Sequence, residues 1–192
     1  MYQEKDYSHL LGTAGFSDTL LKNHFTLYAG YVKNVNSVAE KLTTLEPGTP
    51  EFNELSRRFG WEWNGMRLHE LYFENMGKKS NTLSDDSPIL GKMKECFGEG
   101  DEWLGKFKDT AMQRGIGWVV MYYDPVARRL FHVWIEEHGE NHLSGCTPIL
   151  VMDMWEHAFI TDYGLAKKDY IDAFVAAIDW TEAERRFEEA IR

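Results

Sequence analysis

Residues 147–157 read TPILVMDMWEH, an apolar run that ends on a carboxylate and an imidazole four positions apart. The apolar part, residues 147–152, has the length and composition of a buried strand. Asp153 and His157 can converge on one point across a turn or a helix start, and both donor types suit a first-row metal ion. Such a pair is common by chance, so a metal site needs further donors from elsewhere in the chain.

Two long amphipathic helices are predicted in the first part of the chain, and each carries one inward-facing histidine. The first follows the N-cap Ser17 and extends to about residue 42, with His24 on its apolar face. The second begins at Pro50 and extends to about residue 76, with His69 on its apolar face. The pattern therefore predicts an antiparallel helical hairpin. Either histidine alone would be expected to be a core residue with one satisfied hydrogen bond.

The second part of the chain has a different composition. Residues 77–87 are polar and lack apolar periodicity, which predicts a linker, with a boundary between a domain at 1–80 and a domain at 81–192. Two β-rich runs flank Asp124-Pro125, which is typical of a hairpin. The predicted elements are helices from Pro88 to Phe97 and after Asp101, strands at 117–123, 129–135 and 147–152, and helices at 167–178 and 181–191, the last with a capping box from Thr181 to Glu184. We therefore expect an α+β fold, with the helical hairpin followed by an α+β domain that contains a three-stranded antiparallel sheet.

Composition restricts the class of protein. The formal net charge of −10 disfavours nucleic-acid binding, because gripping a phosphate backbone requires clustered Lys and Arg. We find no apolar window long enough for a membrane span and no targeting segment at the N-terminus. The two cysteines, Cys96 and Cys146, suit a reducing compartment. These features predict a cytoplasmic protein that binds neither nucleic acid nor membrane.

Taken together, the four candidate donors form a chemically consistent set. His24 and His69 face each other across the predicted hairpin, and Asp153 and His157 come from the second part of the chain. Three imidazoles and one carboxylate match iron or manganese better than calcium or magnesium, which prefer oxygen ligands. The sequence therefore predicts one iron or manganese site between the two parts of the chain.

The sequence also resembles the iron/manganese superoxide dismutase family over nearly its whole length. The motifs that carry this resemblance are DMWEHAF at 153–159, Asp162-Tyr163, Asp169-Tyr170, Ile178-Asp179-Trp180, YVKNVN at 31–36, NGMRLH at 64–69 and GIGW at 115–118. The family fold, a helical hairpin followed by an α+β domain with the metal between them, agrees with the elements predicted above.

The resemblance implies an activity and a set of site residues. The activity is disproportionation of the superoxide anion to dioxygen and hydrogen peroxide, by redox cycling of one ion per chain, with iron as the first choice and manganese as the second. The implied metal ligands are His24, His69, Asp153 and His157. Tyr31 matches the family's gateway tyrosine, Trp118 and Trp155 match aromatics that wall the cavity, and Glu156 resembles the residue that bonds a ligand histidine of the opposite subunit. A homodimer or a tetramer is therefore expected.

The sequence departs from the family pattern at three places. His24 and Tyr31 are seven positions apart instead of the usual eight, and one missing residue rotates a helical side chain by about 100°. We expect His24, not Asn23, to be the ligand, on a helix that lacks an extra residue. Tyr28 and Ile160 occupy the positions of a histidine and tyrosine that often pair between subunits, so that hydrogen bond is expected to be absent.

The third departure concerns a glutamine that many members have beside the metal. Gly65 occupies one of its two possible origins, and His138 is predicted to fill the other. The surrounding loop resembles that of some archaeal iron enzymes of the family, which is the reason for choosing iron first. His142 is expected to brace this loop.

Two other functions compete with this interpretation. One is a metal-free or non-redox binding module on the same fold, which would not need four metal-ligand residues. The other is a metal-dependent oxygenase or hydrolase that uses His138, His142, Asp153 and His157, which would leave His24 and His69 without a role.

Overall fold

The computed structural model describes residues 1–78 and 81–192. The N-terminal part is the predicted antiparallel pair of helices, α1 (Asp18–Leu42) and α2 (Pro50–Glu74). The Ser17 side chain caps α1 by accepting a hydrogen bond from the backbone N–H of Leu20. Thr49 caps α2 in the same way, with proline at the first helical position. The predicted cap Ser17 and the predicted helix start at Pro50 are therefore both found in the structure.

The second part contains the expected three-stranded antiparallel sheet. Its strands are β1 (Gly117–Asp124), β2 (Arg129–Glu136) and β3 (Thr147–Asp153), in the spatial order β2-β1-β3. The central strand β1 is buried along all but its last residue. The pairing of β1 with β3 places Trp118 directly opposite Asp153. The predicted α+β fold is thus confirmed, and the strand register brings a candidate wall residue beside a candidate ligand.

Helices surround this sheet. They are α3 (Pro88–Phe97), α4 (Glu102–Ala111), α5 (Ile160–Tyr163), α6 (Lys167–Ala176) and α7 (Trp180–Ala190), with 3-10 turns at Ser8–Leu10 and Glu156–Ala158. Neither 3-10 turn was predicted, nor was α5. Within the described ranges, no helix is long and apolar enough to cross a membrane.

The predicted capping box of the last helix is wrong by two residues. Asp179, not Thr181, is the N-cap of α7, and its side chain accepts from the backbone N–H of Thr181. The Thr181 hydroxyl instead accepts a hydrogen bond from the Asn81 amide. The predicted domain boundary at residue 80 lies outside the described residues, so the division into 1–80 and 81–192 stays a prediction.

The C-terminal end of α2 is fixed to the sheet by one buried side chain. The Asn75 carboxamide accepts from the backbone N–H of Val151 at 2.8 Å and donates to the carbonyl of Ile149 at 3.4 Å. Tyr72, one turn earlier, stacks on Phe174 of α6 with ring centroids 5.5 Å apart. These contacts hold α2 against β3, which sets the position of His69 relative to Asp153.

A half-buried histidine, His132, lies on the edge strand β2 of the sheet. His132 on β2 stacks on Phe97 with ring centroids 4.2 Å apart and meets the edge of Phe107. Both of its ring nitrogens are buried, and neither has a hydrogen-bond partner in the described chain. Burial and the nearby charge of Lys106 lower the pKa of His132 from 6.5 to about 4.

This histidine should make the fold sensitive to acid. Between pH 6.5 and 4, His132 binds a proton in the unfolded state but stays neutral in the folded state. The free energy of unfolding therefore falls as the pH decreases through this interval. We expect His132→Phe to gain stability over the wild type by on the order of 2–3 kcal/mol between pH 7 and pH 4. Urea unfolding at several pH values measures this, with the exposed His9→Gln as control. A constant offset between the wild-type and His132→Phe curves would contradict the prediction.

Candidate metal centre

Four side chains from three separate segments converge in the interior. They are His24 of α1, His69 of α2, Asp153 at the end of β3 and His157 in the following 3-10 turn, and one donor atom from each lies within 4.8 Å of the others. The first three side chains are completely buried, and that of His157 is 27% exposed. This is the only cluster of its kind within residues 1–78 and 81–192. The structure therefore brings together all four predicted ligands.

The Asp153 carboxylate lies at the centre of the cluster. Its Oδ2 atom is 3.1 Å from Nε2 of His157, 3.2 Å from Nε2 of His24 and 3.7 Å from Nε2 of His69. The other oxygen, Oδ1, accepts from the backbone N–H of Trp155 at 2.8 Å. The Tyr170 hydroxyl donates to the Asp153 carbonyl at 2.6 Å. One carboxylate oxygen is thus used to hold the residue, and the other faces the three imidazoles.

The orientation of His69 tests whether these residues fit a metal ion. Its Nδ1–H donates to the carbonyl of Gly65 at 2.6 Å, so Nε2 carries the lone pair of the neutral ring. That Nε2 is buried without a hydrogen-bond partner in the described chain, and it points at Asp153. Donors that share one ion at roughly 2 Å are separated by distances like those found here. The four residues therefore fit an iron or manganese ion.

The charge states of the cluster agree with this fit. Burial lowers the pKa of His24 and, together with the proximity of His24, lowers the pKa of His69 well below 6.5. Burial would by itself raise the pKa of Asp153, but the contacts with His157 and His24 outweigh it and hold that pKa well below its usual range. At neutral pH, His24 and His69 are neutral and the carboxylate is ionised, which are the forms that bind metal ions.

The helix α1 is regular over its whole length, which accounts for the short spacing between His24 and Tyr31. His24 is buried in the cluster, whereas Asn23 is exposed, as expected from the sequence. Tyr28 is turned inward, where its hydroxyl donates to Oε1 of Glu70 at 2.9 Å. Leu27 takes the exposed position one turn before Tyr31. Within the described helix α1, no histidine therefore lies at the surface beside Tyr31.

His138 connects Tyr31 to the central strand. The indole Nε1–H of Trp118 donates to Nδ1 of His138 at 3.0 Å, and Nε2 of His138 lies 2.8 Å from the Tyr31 hydroxyl. Burial lowers the pKa of His138 to about 4, so the ring is neutral at pH 7. Because an indole can only donate, the single proton of His138 is on Nε2 and is donated to the Tyr31 oxygen. The hydroxyl hydrogen of Tyr31 is thereby left for another acceptor.

Gly65 makes room for this arrangement. A Cβ atom at Gly65 would lie 2.7 Å from the Tyr31 ring and 3.2 Å from Cδ2 of His138. Tyr31 in turn lies over His69, with ring centroids 5.1 Å apart. The absence of a side chain at position 65 therefore allows His138 and Tyr31 to meet beside a candidate ligand.

The remaining predicted site residues occupy different positions around the cluster. Trp118 is buried with its edge against His69, at a centroid distance of 4.9 Å. Trp155 stacks between His138 and His157, at 4.8 and 6.0 Å. Glu156 is exposed and precedes His157, the one member of the cluster whose side chain is partly exposed. Both tryptophans thus wall the site, and Glu156 faces outward.

The geometry does not support the alternative metal cluster that would use His138 and His142 as ligands. His142 lies 3.0 Å through Nε2 from the His138 carbonyl, to which it donates, and 3.0 Å through Nδ1 from the Tyr122 hydroxyl. Both of its ring nitrogens therefore brace the loop, as expected. His138 likewise uses both nitrogens on Tyr31 and Trp118. A site formed by His138, His142, Asp153 and His157 is thus ruled out in this arrangement.

Trp61 was not predicted as a site residue; it lies four residues before Gly65 and eight before His69 on α2. Its ring meets His138 with centroids 4.5 Å apart, and its Nε1–H donates to Oε2 of Glu137 at 3.0 Å. The spacing of four and eight residues places all three on one helix face, and this was the available signal. Trp61 completes the aromatic enclosure of His138.

Comparison with known proteins agrees with this geometry. Residues 85–186 match the family described as iron/manganese superoxide dismutases, C-terminal domain. The chain is 36% identical to an iron superoxide dismutase of Cupriavidus metallidurans over 186 residues, which cover 93% of this chain and 91% of the relative. It is 34% identical to a manganese superoxide dismutase of Haloarcula marismortui over 172 residues, covering 88% and 83%. On these matches, the chain belongs to the iron/manganese superoxide dismutase family.

Proposed function

We propose that this protein disproportionates the superoxide anion to dioxygen and hydrogen peroxide, with one iron or manganese ion held by His24, His69, Asp153 and His157. The observation that carries the proposal is the buried convergence of three imidazole nitrogens on one carboxylate oxygen, at 3.1 to 3.7 Å. A metal-free binding module would have no use for such a set, since burying these groups without a shared ligand is costly.

When bound, iron or manganese supplies one-electron redox chemistry, accepting an electron from one superoxide and returning it to the next. The residues of the chain set the conditions for this exchange. Trp155 and Gly65 fix Asp153 and His69 through backbone groups, so the donors keep their orientation. Trp118 and Trp155 exclude water from the faces that they cover. The site is therefore rigid and largely dry.

The formation of peroxide consumes two protons, and the arrangement of Tyr31 and His138 offers a means of delivering one of them. Burial raises the pKa of Tyr31, so its hydroxyl stays protonated near neutral pH. Since Nε2–H of His138 is donated to the Tyr31 oxygen, the Tyr31 O–H is free to donate toward the substrate. Tyr31, at the boundary between the cluster and the outside, is the proposed proton donor.

The test is reconstitution of the purified protein with iron and with manganese separately, followed by a superoxide-scavenging assay. We expect both forms to be active above the free ions, because the ligand set suits both. We propose iron as the native metal, because the loop around His138 resembles that of some archaeal iron enzymes of the family. Loaded protein that is no more active than free metal would refute the proposed function, and a more active manganese form would refute the choice of iron.

We further propose that the protein assembles as a homodimer, or as a tetramer built from such dimers. The support comes from Glu156, Ile160 and Leu165, which are exposed on the segment that follows β3. A carboxylate that accepts from a ligand imidazole of the opposite subunit would orient that ligand. In the proposed dimer, Glu156 would accept a hydrogen bond from His157 of a second copy in this way.

Glu156→Ala should therefore weaken both assembly and metal retention. We expect the dimer to dissociate at a concentration at least about tenfold higher and the metal content to fall, since changes of this kind cost 10- to 100-fold in metal affinity. Sedimentation analysis and metal quantification measure the two effects. Glu184→Ala, on α7, serves as the control. A wild-type protein that stays monomeric at micromolar concentration would exclude this interface.

The proposed location is the cytoplasm. Both cysteines, Cys96 and Cys146, are free thiols in the structure, which fits a reducing compartment. Fractionation of the source cells, with activity followed in each fraction, would test this.

A further inference from the structure

A cavity of about 220 Å³ lies between α1 and α2, immediately outside Tyr31. It leads from the surface to the Tyr31 ring, which lies over the candidate ligand His69. The described residues that line it include one cation, Arg58, and one carboxylate, Glu62. The side chains that matter here are Tyr31, Leu27 and Asn34 from α1, and Arg58, Trp61 and Glu62 from α2.

Arg58 is held in place from the protein side. Its Nε donates to Oε1 of Glu62 at 2.8 Å, and its guanidinium lies over the Trp61 ring, 3.7 Å from the centroid. Glu62 is itself buried and also accepts from the Asn34 amide at 3.3 Å. In the described chain no partner is found for the two Nη groups of Arg58, and its side chain is 45% exposed. The guanidinium is therefore fixed in position while its outer edge stays open.

The ion pair of Arg58 and Glu62 is not symmetric toward the solvent. The Glu62 side chain is only 5% exposed, whereas that of Arg58 is 45% exposed, so an anion that approaches the cavity meets the positive charge first. A fixed cation in a concave site raises the local concentration of anions, even when the protein as a whole carries a net charge of −10. The exposed Glu137, which accepts a hydrogen bond from the indole N–H of Trp61, does not line this cavity.

We propose that Arg58 binds the incoming small anion at the mouth of this cavity and directs it to Tyr31. The inference rests on the proposed function, in which that anion is superoxide. Arg58 acts through its charge and its open Nη groups, and Trp61 and Glu62 are the positioning residues that hold it.

The chain offers a matched control on the same helix. Arg57 is the neighbouring residue, but its side chain is 81% exposed and its contact is with Glu54 at 3.9 Å, away from the cavity. Arg57→Gln and Arg58→Gln change the net charge equally. Arg58→Lys keeps the charge and loses the planar stacking group. Thermal unfolding of each variant shows whether the fold is retained.

The experiment measures kcat/KM for superoxide in the metal-loaded protein as a function of NaCl concentration. We expect Arg58→Gln to lower kcat/KM about three- to tenfold at low salt and to flatten the salt dependence, because steering by charge is screened by ions. Arg58→Lys should keep most of the rate, and Arg57→Gln should match the wild type. If Arg58→Gln and Arg57→Gln have the same salt dependence, or if Arg58→Lys loses as much as Arg58→Gln, the proposal is overturned.

A second readout separates this inference from the proposed function. Azide, a small monovalent anion, is titrated into the metal-loaded proteins and followed by absorbance. Weaker azide binding by Arg58→Gln, with wild-type binding by Arg57→Gln, supports an anion-receiving role even if the wild type proves inactive toward superoxide. Equal azide affinity in the wild type and in both glutamine variants overturns the role of Arg58 and leaves the activity of the wild type to be judged by its own assay.

Discussion

Asp153→Ala should remove the metal from the protein and abolish its activity. The carboxylate oxygen of Asp153 is the atom that all three imidazoles approach, and the side chain is completely buried. Changes outside the ligand set already cost 10- to 100-fold in metal affinity, so we expect loss of a ligand to exceed about 100-fold. Metal quantification after dialysis and the superoxide assay measure both effects.

Two further variants make this result specific. Asp153→Asn keeps an acceptor for the backbone N–H of Trp155, and we expect it to fold while still losing the metal. Asp172→Ala removes an exposed carboxylate of α6 that pairs with Lys108, and it should retain full metal content. Full occupancy and unchanged turnover in Asp153→Asn would remove Asp153 from the site.

Gly65→Ala should impair catalysis without removing the metal. In most helices this change adds about 0.5–1 kcal/mol of stability. Here the new Cβ would lie 2.7 Å from two atoms of the Tyr31 ring and 3.2 Å from Cδ2 of His138, so these two side chains cannot keep their present positions. We expect the Tyr31–His138 hydrogen bond to break, the activity to fall on the order of tenfold or more, and the free energy of unfolding to drop by about 1–3 kcal/mol.

Gly60→Ala is the matched control, on the same helix and with no atom within 4 Å of the added Cβ. It should be fully active and slightly more stable than the wild type. The His69 ligand contact to Gly65 uses the backbone carbonyl, so metal content should be the same in both alanine variants. Gly65→Ala with the activity and stability of Gly60→Ala would mean that Tyr31 and His138 do not depend on this gap.

The sequence was sufficient for the elements whose signals are local. Ser17 caps α1 as predicted, Pro50 and Pro88 open helices as predicted, and the strand that ends at Asp153 followed from its apolar run. The prediction of a capping box at Thr181 was wrong because Asp179 can also cap a helix. The Thr181 hydroxyl instead accepts a hydrogen bond from Asn81, which is 100 residues away in sequence. The helix α5 has four residues, which is too short for any periodicity to be seen.

The choice between His24 and Asn23 as the ligand on α1 shows how far the candidate site could be predicted from the sequence. Helical periodicity placed His24 inward while the family spacing pointed to Asn23; His24 was expected as the ligand, and the regular course of α1 agrees with that expectation. Two contacts had no local signal in the sequence. The hydrogen bond of Trp61 with Glu137 joins segments that are distant in sequence, and the cavity beside Arg58 forms only where α2 packs against α1. The ligands and most of the aromatic residues around them were therefore predictable from the sequence, whereas Trp61 and Arg58 were not.

The four donors are divided evenly along the chain, two on the helical hairpin and two after β3. If the polypeptide were cut between α2 and α3, each fragment would hold only half of the donor set, and a two-donor site binds an ion weakly. Ion capture would then become a bimolecular event, so that it depends on fragment concentration. In the intact chain the covalent connection supplies a high effective concentration of one half for the other. The metal would accordingly act as a cross-link in the assembled fold. Its loss should first weaken the packing between the helical hairpin and the sheet.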